Sequence, residues 1–91
     1  MNHKRDRLEV IFDILSIIRR YNNSIKPTPL ARFSNLSTKS FKIYEQELLE
    51  KGFMRDIYDK KNKKFFTLTD KGFDYIYKYK TIREFVSNFD L

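Results

Sequence analysis

A mostly helical α+β domain carrying one β-hairpin is the fold class this sequence predicts, and three observations predict it. Apolar residues recur at helical spacing through residues 6–20 and again through residues 38–51. Between residues 53 and 68 the pattern becomes two short aromatic and β-branched runs flanking a polar tip. A last helical pattern then runs to about residue 90. A chain of 91 residues has room for one modest core, and 41% hydrophobic residues with only two Gly and two Pro are incompatible with disorder or a linker-rich chain.

The first helix is expected over residues 6–20, with Leu8, Ile11, Phe12, Leu15 and Ile18 on its buried side and Val10, Ile14 and Ile17 broadening that face. Asn22, Asn23 and Ser24 stop it, because short polar side chains compete for backbone hydrogen bonds and tolerate turns. Thr28 and Pro29 suit the cap and first position of a short second helix ending near Ser34. After a turn at Asn35 and Leu36, Ser37 supplies the cap of a third helix striped by Phe41, Tyr44, Leu48 and Leu49, and Gly52 ends it. Residues 53–58 and 64–68 form the hairpin, and Thr69 with Asp70 open the last helix, about 30 Å long at ~1.5 Å per residue. Phe73 and Ile76 are expected to face the hairpin and the first helix.

Helix, short helix, turn, helix, hairpin and long helix is the order of a winged helix-turn-helix. Residues 1–68 make up the expected DNA-binding domain and residues 69–91 a C-terminal dimerisation helix. The charge supports this division. Residues 1–64 hold 15 Lys/Arg against 8 Asp/Glu, residues 65–91 hold 4 against 4, and so the whole net charge of +7 lies upstream of Phe65. Such a localised basic excess is the electrostatic footprint of a nucleic-acid binder.

Several classes are excluded. Without cysteine there is no disulfide, thiolate zinc site or cysteine nucleophile, and no run approaches the ~18 apolar residues of a membrane span. The basic opening leads into an apolar stretch broken by Glu9 and Asp13, unlike a signal peptide, so a cytoplasmic, nucleoid-associated location is expected. His3 is the sole histidine, no phosphate loop or catalytic motif occurs, and Asp70 suits a helix N-terminus, so neither an enzyme nor a cofactor is expected.

The third helix of this fold lies in the major groove, so its outer face must offer groups to base edges and phosphates. That face consists of Thr38, Lys39, Lys42, Ile43 and Gln46. Lysine suits phosphate or guanine O6/N7, glutamine suits adenine N6/N7, and isoleucine suits a thymine methyl. Lys60, Lys61, Lys63 and Lys64 form a wing fit for backbone contact, with further phosphate contacts expected from Lys4, Arg5 and Arg7, and also from Lys26 and Arg32. In the last helix Tyr75, Tyr79, Ile82, Val86 and Phe89 step by 4–3–4–3, the seam of a coiled coil with a second subunit. The competing reading is a winged helix used as a protein–protein module without DNA binding, since the fold hosts both. An RNA-binding role fits the charge but lacks exposed aromatic stacking motifs.

These residues resemble the small archaeal winged-helix regulators and Sulfolobus chromatin-type DNA-binding proteins that end in an antiparallel coiled-coil helix. The resemblance is carried by Lys4-Arg5-Asp6-Arg7 before the first helix and by Thr28, Leu30 and Asn35-Leu36-Ser37. It continues through Leu48-Leu49-Glu50-Lys51-Gly52-Phe53-Met54 and the Phe66-Thr67-Leu68-Thr69-Asp70-Lys71-Gly72 passage. It implies an archaeal or archaeal-virus source and a cofactor-free homodimer joined by its C-terminal helices. Each subunit would present its third helix and wing to double-stranded DNA as a transcription regulator or architectural protein. The chain departs from that group at Glu45, where an aliphatic residue is usual.

Overall fold

The computed structural model describes residues 4–91, so the reading of His3 lies outside the described residues. Its elements are α1 (Arg7–Arg20), α2 (Pro27–Ser34), α3 (Thr38–Glu50), β1 (Met54–Tyr58), β2 (Lys64–Leu68) and α4 (Asp70–Asn88). The expected fold, a mostly helical winged helix-turn-helix with a long C-terminal helix, is the one observed.

Asp6 caps α1 by accepting from the Glu9 amide at 2.8 Å. The helix buries Val10, Ile11, Ile14, Leu15, Ile17 and Ile18, which makes it the central strut of the core. Leu8 departs from expectation and is 52% exposed. It sits in the first turn, before the helix meets the body of the core, and its carbonyl accepts the Tyr75 hydroxyl at 2.7 Å. Asn22 and Asn23 end α1 at φ 60° and 58°, in the left-handed region that asparagine tolerates. Asn23 also accepts the Leu68 amide at 2.7 Å, which ties the turn to the hairpin.

α2 begins one residue before Thr28, at Pro27, with Lys26 as its N-cap and no side-chain cap. Pro27 and Pro29 both lack an N–H, so this first turn has fewer free donors to satisfy and Thr28 has no capping task. Asn35 closes α2 in the left-handed conformation. Ser37 caps α3 by accepting from the Ser40 amide at 3.1 Å, and Gly52 follows at φ +74°.

The two strands pair antiparallel from Met54 opposite Leu68 to Tyr58 opposite Lys64. Ile25 adds a rung: its amide donates to the Phe66 carbonyl at 3.2 Å, and its carbonyl accepts from the Phe66 amide at 2.8 Å. Sequence periodicity could not reveal a one-residue strand between Ser24 and Lys26. Ile14, Leu15, Ile18, Leu30, Leu48, Met54, Phe66 and Ile76 are fully buried, drawing on every element. Each such side chain contributes roughly 1.5–3 kcal/mol by burial.

Thr69 locks the start of α4, accepting from the Gly72 amide at 3.1 Å and donating to the Gly52 carbonyl at 2.5 Å. Gly72 rests against the Phe53 carbonyl, where a Cβ would come within 2.2 Å. This close approach sets the inward face of α4 as Gly72, Tyr75, Ile76 and Tyr79. Phe73, expected to face the hairpin, is therefore 40% exposed. Tyr75 packs edge-on to Phe53 at 5.4 Å, and Tyr79 stacks on Phe12 at 4.6 Å. Burial, reinforced by the neighbouring Tyr79, pushes the Tyr75 phenol up to about 12. Residues 80–91 are exposed throughout, and α4 extends the molecule to 50 Å along its longest axis.

Candidate nucleic-acid interface

α3 is built as three stripes. Phe41, Tyr44 and Leu48 turn inward, and burial of Phe41 and Leu48 fixes the rotation of the helix about its axis. That rotation leaves Thr38, Lys39, Lys42, Ile43 and Gln46 all exposed, as the sequence predicts. Lys39, Ile43 and Gln46 share one outer row, and Gln46 donates to Glu50 at 3.2 Å. Thr38, Lys42 and Glu45 form the other row, beside the hairpin.

The hairpin tip is held open and cation-rich by one carboxylate. Asp59 accepts from the amides of Lys61 and Lys63 at 2.8 and 2.9 Å, while Asn62 takes φ 61° to complete the turn. Lys60, Lys61 and Lys63 stand exposed on it. Lys64 belongs to the base of the wing: it lies 3.9 Å from Asp56 and 5.2 Å from the Phe66 ring centre. There it shares with Thr38, Lys42, Glu45 and Thr28 a shallow cleft of about 390 Å³ between α2, α3 and the wing. Helix face and wing base thus form one continuous surface. Glu45, half-buried, lines the same cleft as Lys42 and Lys64.

The N-terminal cations are placed otherwise. Arg5 pairs with Asp13 at 2.9 Å and donates to the carbonyls of Ser34 and Asn35 at 2.9 and 3.4 Å, clamping α1 to the turn between α2 and α3. Arg7 pairs with Glu47 of α3, which also holds Lys51 at 2.8 Å. Both guanidiniums are paired within the chain, Arg7 while remaining exposed, and Lys4 is exposed beside them. Lys26 lies 5.8 Å from the centre of the Phe65 ring, at the edge of the sheet. Their roles depend on acceptors 8 to 40 residues away, so nothing local in the sequence could reveal them.

Of the expected seam, Tyr75 and Tyr79 are used inside the chain, whereas Ile82 and Phe89 are 62% and 64% exposed, with Val86 and Phe85 between them. Among the described residues no group of His, Asp or Glu is arranged to hold a metal ion, and no helix is long and apolar enough to cross a membrane.

A winged helix-turn-helix family profile matches residues 4–87, nearly the whole chain. The chain belongs to the winged helix-turn-helix family. Its relatives include two uncharacterized proteins of Methanocaldococcus jannaschii. One is 36% identical over 69 residues, covering 76% of this chain and 29% of its own length. The other is 40% identical over 70 residues, covering 77% of this chain and 65% of its own length. This winged helix therefore spans less than two thirds of either relative. Its fold is shared with the crystal structure of Sso10a-2, a DNA-binding protein from Sulfolobus solfataricus, at a TM-score of 0.69 and 21% identity over 94% of this chain and 90% of that one.

Proposed function

We infer that this winged helix binds double-stranded DNA as a homodimer and acts in transcription regulation or DNA architecture, without catalysis. The observation that carries the reading is the continuous surface made by the exposed rows of α3 and the wing, joined where Thr38, Lys42 and Lys64 meet. In this reading Lys39, Lys42, Ile43 and Gln46 face the major groove, with Thr38 at the helix start. Lys60, Lys61 and Lys63 follow the phosphate backbone, and Lys64 and Lys4 add charge nearby. Membership of the winged helix-turn-helix family and likeness to a protein described as DNA-binding support the same partner.

The apolar row of Ile82, Val86 and Phe89 lies beyond the body of the domain and stays 41–64% exposed. A second α4 packed along it would bury that row in a two-helix coiled coil. The test is fluorescence anisotropy of a labelled random duplex titrated with protein from low to moderate salt. The expected result is micromolar or tighter affinity whose logarithm falls linearly with log salt, with a slope of several phosphate contacts. No binding at low salt would overturn the reading and assign the basic face to a protein partner.

A further inference from the structure

The carboxylates of α3 and the wing are not all alike. Glu47 holds Arg7 and Lys51, and Glu50 accepts from Gln46. Asp56 lies 3.9 Å from Lys64, and Asp59 accepts from the Lys61 and Lys63 amides. Glu45 alone among them has no hydrogen bond or ion pair with any described residue. It is half-buried, yet its carboxylate is not sealed in. The buried, unpartnered side-chain oxygens among the described residues belong to Ser16 and Asp56, whereas Glu45 opens into the cleft that Thr38 and Lys42 also line.

The place of Glu45 is fixed by packing. Burial of Phe41 and Leu48 sets the rotation of α3, and Lys42 precedes Glu45 on the same row by three residues, about 4.5 Å along the axis at ~1.5 Å per residue. An unpaired carboxylate on a surface that meets phosphates lowers affinity for every duplex alike. Its possible gain lies at the base edges, because an ionised carboxylate only accepts and phosphate oxygens offer it no donor. In the major groove guanine and thymine present acceptors, and adenine presents an amino group beside the acceptor N7. Cytosine presents its N4 amino group with no acceptor on that edge, so it is the base a carboxylate meets without conflict. Lys42 has the opposite need, which guanine O6 and N7 supply.

Resting on the DNA-binding reading above, we propose that Lys42 and Glu45 together read one G·C base pair, with Glu45 as a specificity-determining residue. The Glu45 carboxylate accepts from cytosine N4, and the Lys42 ammonium donates to the guanine of the same pair. The pair of charges has a direction along α3, so it also distinguishes G·C from C·G. Glu45 thereby gives up general affinity for duplex in exchange for discrimination.

The test binds a library of duplexes with a randomised core at moderate salt, to the full chain and to Glu45→Ala, and sequences the bound fraction. Alanine favours the helix and Glu45 has no partner to lose, so the variant keeps its fold. The expected result is a G·C pair enriched at a fixed position by the native chain, with that enrichment lost in Glu45→Ala and the preferences at other positions kept. A second measurement isolates the cytosine. N4-methylcytosine at that position still pairs with guanine but puts a methyl in place of the hydrogen that faces the groove. It raises Kd about tenfold for the native chain, the scale of one charge-assisted hydrogen bond, and leaves Kd for Glu45→Ala unchanged. Binding without a preferred G·C pair, or the same preference in Glu45→Ala, would overturn the proposal while leaving the DNA-binding reading in place. Absence of duplex binding at low salt would overturn both.

Discussion

At Gly72 a hydrogen in place of a side chain lets α4 lie against the Phe53 carbonyl, and Tyr75, Ile76 and Tyr79 reach their places only because of that approach. Gly72→Ala forces a Cβ into a backbone oxygen that cannot swing aside. The expected loss is about 1–3 kcal/mol, the usual cost of overpacking, seen as a lower midpoint in urea with the slope unchanged. An unaltered midpoint would mean that α4 does not need this approach. On α3, Lys39→Ala with Lys42→Ala should weaken duplex binding by at least ~1 kcal/mol without changing the thermal midpoint, since both side chains are exposed. Glu45 works in the opposite direction. It lines the same cleft as Lys42 and Lys64, on the surface proposed for DNA, so Glu45→Gln should tighten binding several-fold at low salt, with the gain fading as salt rises. Unchanged affinity for the lysine pair would remove α3 from the interface.

At the scale of elements, the wing proposed to follow the phosphate backbone takes its shape from Asp59 and Asn62 and its charge from three exposed lysines. Replacing Lys60, Lys61 and Lys63 with serine should lower the slope of log affinity against log salt by about 2–3, at ~0.9 per phosphate contact, and leave any sequence preference intact. A slope that does not move would place the wing away from the backbone. The elements themselves were legible because their signals are local. Ser37, Gly52 and Thr69 cap or end helices through atoms within a few residues, and Asn22 and Asn23 mark a turn by their own conformational tolerance. What was not legible depends on distant partners. Arg5 and Arg7 look like phosphate ligands until Ser34, Asn35 and Glu47 come within reach.

For the whole molecule, the 4–3–4–3 spacing of α4 poses a choice that periodicity alone leaves open, because a seam fits a partner's helix or the body of its own domain equally well. The structure divides the seam. Tyr75 and Tyr79 bind α4 to α1 and to Phe53, while Ile82, Val86 and Phe89 continue the same row past the end of the core. The first half therefore sets the direction in which the second half projects, and a second subunit docked there would inherit a fixed orientation relative to α3 and the wing. Ile82→Glu with Val86→Glu should give a particle of half the mass in light scattering while retaining the helical circular dichroism of the domain, since neither residue touches the core. The monomer should still bind duplex, but with about half the salt dependence, because one set of phosphate contacts replaces two. An unchanged mass would show that association, if any, uses another face. An unchanged slope in a true monomer would mean that only one subunit of the dimer contacts DNA at a time.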